Sequence, residues 1–202
     1  MRMLIVVFEV TFIALLLVIW FTDKSIQTSK NLWVLFFYNF PSQFLIAIVP
    51  HEPVVFYFGK FYSPLVVALV AIAGTLPTEI LNYSVFKFVY DLKSLDRFKR
   101  SKFLNRLVEL FNKSPFFALL VAGFTPVPFY PFRFLVVVAH YPVAKYALAV
   151  FLSRTPRYYL LAMLGHAIQI PDYWIAIIFF FFLFVTYLPL LQKRIRGKAK
   201  LS

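Results

Sequence analysis

Met3 to Thr22 is an almost unbroken apolar run, interrupted only by Glu9 and a few small polar positions. Twenty helical residues reach about 30 Å, the hydrocarbon thickness of a bilayer. The run reads as a transmembrane helix with Arg2 on the inner side, within an N-terminal unit of residues 1–30. A cleaved signal peptide is the rival reading. The run is long for a signal core, and no small-residue cleavage pattern precedes "TDKS".

The pattern then changes. "NLWVLFFYNFPSQ" mixes aromatic and polar positions and reads as an interfacial segment entering the membrane. Phe40–Val49 and Val54–Tyr62 are apolar arms on either side of "PHEP". Each arm of about ten residues reaches about 15 Å, half a bilayer. Pro50 and Pro53 block a continuous helix. The expectation is a re-entrant hairpin over 31–63 with its tip at 50–53. Leu65–Tyr90 is long enough to cross. Leu104, Leu107, Val108 and Phe111 then share one face of a surface helix. Pro115–Phe124, the proline cluster Pro126, Pro128 and Pro131, and Phe134–Tyr141 predict a second hairpin over 115–141. Val143–Ile168 crosses, and Trp174–Leu191 crosses back within a C-terminal unit of 171–202.

The predicted fold is an all-α membrane protein with about four transmembrane helices and two opposed re-entrant helical hairpins. The hairpins belong to an inverted repeat. "VPHEP", "FYSP" and "GTLPTEILNY" in the first half answer to "TPVPFYPFR", "HYP" and "RTPRYYLLA" in the second, at an offset of about 78 residues. In that register Glu79 falls opposite Arg157.

Composition agrees. The chain has 202 residues, 62% hydrophobic and 21% aromatic, with 14% charged. A soluble domain of this length could not bury so much apolar surface. The net charge of +13 gathers between Lys93 and Lys113 and in the tail from Lys193. These clusters border apolar spans, so the positive-inside rule and anionic headgroups explain them better than nucleic acid does. Both termini are thereby expected in the cytoplasm, in a cell (inner or plasma) membrane. Cysteine is absent, which excludes disulfides and thiolate chemistry.

The charges inside the apolar segments divide by half. Glu52 and Glu79 lie in the first; Arg133, Arg154 and Arg157 lie in the second. Each costs about 2.5–3.5 kcal/mol at mid-bilayer, so five against lipid would cost on the order of 12–18 kcal/mol. They are expected to meet in one water-reached pocket between the tips. Three bases against two acids leave room for an anionic guest such as a phosphate. If the charges were only glue, exchanging Glu52 with Arg133 would be tolerated. His51 is a candidate proton-sensitive group beside Glu52. The three histidines lack metal-ligand spacing, and neither a nucleophile with a partner nor a phosphate loop is present, so no metal, cofactor or enzyme activity is expected.

At "PHEP" with Gly59, "AGTLPTEILNY", "GFTPVPFYPFR" and "SRTPRYYLLAMLG", the chain resembles the DedA family, also called the VTT or SNARE-associated Golgi protein family. The resemblance covers roughly residues 30–170, a core of 31–170. It matches Glu52 to the family's first-tip acid, with His51 in place of a glycine, Glu79 to the acid of the next helix, and Arg133 to the arginine closing the second tip. Two positions depart: Val127 stands where many bacterial members carry arginine, and Phe40 where some carry an acid. The resemblance implies translocation of membrane lipids, undecaprenyl phosphate or phospholipid, with proton coupling as a further family trait. Membrane lipids are the expected partners. The alternatives are a proton- or cation-coupled transporter of a small solute and a non-transporting scaffold.

Overall fold

Helices account for nearly all of the described chain. The computed structural model describes residues 2–27, 29–45, 50–92, 101–125, 128–168 and 177. In order, the helices are α1 (Arg2–Thr22), α2 (Lys24–Gln27), α3 (Leu32–Gln43), α4 (Glu52–Gly59), α5 (Pro64–Tyr90), α6 (Lys102–Lys113), α7 (Pro115–Phe124), α8 (Tyr130–Val138) and α9 (Val143–Ala167). No strand occurs among the described residues.

α5, with 27 residues, is long and apolar enough to cross a membrane. α9 has 25 residues, but Lys145, Arg154 and Arg157 interrupt its apolar character. Apart from Ile177, the expected crossing Trp174–Leu191 lies outside the described residues, as do the tail and the tip residue Pro126. α6 and α7 meet at 94°. Ser101 caps α6, its hydroxyl accepting from the Leu104 amide at 3.2 Å. Leu104 and Phe111 are buried while Lys102, Arg106 and Lys113 are exposed, as the amphipathic pattern requires.

The first arm differs from expectation. Leu32–Gln43 is one helix, so the stretch read as interfacial is part of the arm itself; residues 46–49 of the arm expected over 40–49 lie outside the described residues. Asn31 starts it early by accepting from the Trp33 amide at 3.0 Å. Leu45, at φ 47, ends it. The polar residues read as interfacial, Asn39, Ser42 and Gln43, are buried. The prolines of the tips also divide. Pro53 and Pro131 sit in the first turns of α4 and α8, where no intrahelical N–H is needed. Pro50 and Pro128 precede those helices.

The packing crosses between the halves. α5 packs on α3 and on α8; α9 packs on α7 and on α4. Each long helix therefore holds the first arm of its own half and the second arm of the other. The core between them holds Val55, Phe58, Val67, Leu119, Val136 and Tyr146. Close approach of α4 to α9 depends on glycine. A Cβ on Gly59 would strike the backbone of Ala162, and one on Gly165 the carbonyl of Phe56. α1 docks through Ile13 on Phe40, Phe44 and Val85. Outward faces stay apolar: Phe8, Leu65, Leu69, Phe117, Leu148 and Leu160 are exposed. A surface with so many large apolar side chains is stable against lipid, not against water.

Candidate functional site

The five charges form two clusters. Glu79 is the centre of the inner one and is fully buried. Its carboxylate accepts from Arg133 Nε at 2.8 Å and Nη2 at 2.6 Å, a bidentate pair. Tyr146 donates its hydroxyl at 2.6 Å, and Asn82 Nδ2 lies at 3.4 Å. Arg154 Nη2 lies 3.1 Å from Glu79 Oε1. Such a carboxylate has its acceptor sites filled, which is the condition for burying it.

A neutral network continues from Arg154. Its Nη1 donates to Gln43 Oε1. Gln43 Nε2 faces Asn39 Oδ1 at 2.8 Å, Thr75 Oγ1 at 2.7 Å and the Tyr158 hydroxyl at 3.1 Å. Arginine only donates, so the amide oxygen must face it and the amide nitrogen must face the three oxygens. The Arg154 guanidinium also lies over the Phe129 ring, 4.6 Å from its centroid.

The outer cluster is open. Arg157 Nη2 donates to Glu52 Oε1 at 2.7 Å, and the two side chains are 22% and 30% exposed. His51 Nδ1 lies 3.5 Å from Glu52 Oε2. Its ring meets Tyr158 edge to face, with centroids 5.6 Å apart. Tyr158 is thus the junction between the open cluster and the closed one.

The two clusters answer to each other. From α5, Glu79 holds Arg133 in the first turn of α8; from α9, Arg157 holds Glu52 in the first turn of α4. Each long helix also secures its own tip. Asn82 accepts from the Leu45 amide at 2.7 Å, and Arg157 donates to the Thr125 carbonyl at 2.9 Å. Arg133 crosses over, donating to the Leu45 carbonyl at 3.0 Å.

Two expectations need correction. The charges do not gather round one centre: Arg154 and Arg157, neighbours one turn apart on α9, pair with different carboxylates, Glu79 and Glu52, in two clusters that adjoin at Tyr158. Glu52 and Arg133 are not partners either, so exchanging them would break both pairs. The sequence reading missed Gln43, Thr75, Asn82, Tyr146 and Tyr158. Helical spacing carried the signal. Asn39 and Gln43 are four apart, as are Thr75 and Glu79, with Asn82 three further; each set makes a polar stripe on an otherwise apolar helix.

The VTT domain family matches residues 49–167, more than half of the chain. No curated protein and no solved structure matches it. The matched stretch contains both carboxylates, all three arginines and both tips, and its apolar outer face fits a bilayer. The chain belongs to the VTT domain family, the membrane proteins of the DedA type.

Proposed function

We propose that the protein is a lipid translocase of the DedA type. It moves a phosphate-bearing lipid, a polyprenyl phosphate such as undecaprenyl phosphate or a phospholipid, between the leaflets of a cell membrane. It does so as a multi-pass protein with cytoplasmic termini, four crossings and two opposed hairpins. The crossed packing of α5 and α9 with each other's second arms supports the inverted repeat, since a two-fold axis in the membrane plane produces that exchange.

One observation carries the functional reading: Arg133 and Arg154 share a single carboxylate, Glu79. Among the described residues that bond these groups, the inner cluster keeps one unit of positive charge. A surplus guanidinium buried in protein is costly as packing alone, and an anionic headgroup would balance it. The partly exposed Arg157–Glu52 pair gives the headgroup its first contact. Arg157, Arg154 and Arg133 then serve as successive phosphate holders, with Glu52 and Glu79 neutralising them when the site is empty.

Reconstitution with fluorescent-tagged lipid tests the reading. Protein-bearing vesicles should expose inner-leaflet lipid to dithionite faster than empty vesicles. Folded protein that gives no acceleration would defeat it. The exposed Glu52 favours a second reading, ion-coupled transport of a small solute. That reading requires a pH-gradient-driven solute flux, lost in Glu52→Gln.

A further inference from the structure

We infer that Gln43 is an internal stand-in for the anionic ligand: its amide oxygen occupies on Arg154 the place a phosphate oxygen takes when the site is filled. The inference rests on the translocase reading for its setting, but it concerns the anion site itself.

The argument is one of charge and valence. Arg133 spends two donors on Glu79 and a third on the Leu45 carbonyl. Arg154 receives less. It shares Glu79 Oε1 with Arg133 at a longer distance, 3.1 Å against 2.6 Å, and its other partners are neutral: the Gln43 amide oxygen, the Tyr158 hydroxyl and the Phe129 ring. A neutral acceptor binds guanidinium less strongly than an anionic oxygen does. Arg154 is therefore the place where an incoming anion gains most. Gln43 can yield there by swinging its planar amide about the nitrogen side, where two N–H groups face the three oxygens of Asn39, Thr75 and Tyr158 and so keep partners as the oxygen leaves Arg154.

The open cluster also touches this site through side chains in contact. A headgroup entering at Glu52–Arg157 meets His51, whose ring abuts Tyr158. The Tyr158 hydroxyl lies 3.1 Å from Gln43 Nε2 and 3.1 Å from Thr75 Oγ1. Displacing the Gln43 oxygen thus acts on a contact that continues to the open cluster. The ligand class is a phosphate with at least one negative charge, from a lipid headgroup or from free phosphate.

Two substitutions at one position should act in opposite directions. Gln43→Glu places a permanent carboxylate on Arg154 and cancels the surplus charge. Thr75 and Tyr158 can rotate their hydroxyls to donate to it, and Asn39 must turn its amide so that Nδ2 replaces Oδ1 there, giving up its bond to the Leu35 carbonyl. Gln43→Met removes the stand-in and keeps the side-chain length. Thermal unfolding of purified protein in detergent would be followed with dioleoyl phosphatidylglycerol, with dioleoyl glycerol as the phosphate-free control, and with inorganic phosphate. Phosphatidylglycerol should protect the wild type. Its apparent affinity should fall by roughly tenfold or more in Gln43→Glu, the worth of one charge-assisted hydrogen bond. In Gln43→Met it should equal or exceed the wild-type value, although the unliganded protein melts earlier.

Equal protection of Gln43→Glu and wild type overturns the inference, even in vesicles that translocate lipid. So does the absence of protection in the wild type, or weaker binding by Gln43→Met. If Gln43→Glu does not fold, the Gln43→Met comparison decides alone. The predicted binding pattern in a protein that translocates nothing upholds the anion site and removes the translocase reading. Protection by inorganic phosphate without added gain from the lipid upholds the site with free phosphate as its ligand.

Discussion

Glu79 and Glu52 both face guanidinium, but neutralising them should have unequal consequences. Glu79→Gln leaves Arg133 and Arg154 buried side by side with no anion between them. Removing one partner of a buried pair costs about 3–5 kcal/mol, so this variant should unfold far earlier in a thermal melt. Glu52 is 30% exposed and Arg157 22%, so water takes over much of the lost contact. Glu52→Gln should cost at most about 1 kcal/mol. A larger loss in Glu52→Gln than in Glu79→Gln would reverse the assignment of closed and open clusters. At this scale the sequence disclosed the charges and not their partners. Five ionisable residues in apolar segments are conspicuous, because each carries a large insertion cost. Which acid meets which base depends on the rotation of α5, α8 and α9. That rotation is fixed by neutral residues such as Gln43 and Tyr146, whose composition signal is weak.

Helices join where their backbones can approach, and α4 meets α9 through two glycines. Gly165→Val would drive side-chain atoms into the Phe56 carbonyl, and a helix backbone has little room to give. The expected cost is about 1–3 kcal/mol, the usual range for overpacking. Ala144→Val, at an exposed position on the same helix, should stay within about 0.5 kcal/mol. Unfolding of both variants in the same detergent checks the contrast. Long elements were legible: α5 and α9 begin and end within a residue or so of their apolar runs. The short arms were less so. The polar residues Asn39, Ser42 and Gln43 resembled an interfacial boundary by composition, yet they bond inside the protein. Hydropathy registers polarity and does not tell water from a buried partner.

At the scale of the whole molecule, the crossed contacts make a claim about topology. α5 holds Arg133 of α8, and α9 holds Glu52 of α4, so each half is completed by the other. If the halves are inverted, the bases of the two hairpins must open on opposite sides of the membrane. Ser63 ends the first hairpin and Ser114 begins the second, and both are exposed. The chain has no cysteine, so Ser63→Cys and Ser114→Cys each introduce a single thiol. In oriented cells a membrane-impermeant maleimide should label position 63 from outside, and position 114 only after the membrane is opened. That expectation follows from the positive-inside rule applied to the basic residues of α6, next to Ser114. The proline clusters and the charge asymmetry raised this topology from the sequence, but sequence identity between the halves is too slight to prove it. Two-fold exchange needs only matched shapes and opposite charges, as Glu79 opposite Arg157 illustrates. Labelling of both positions from the same side would leave the crossed packing intact and rule out the inverted repeat as its cause.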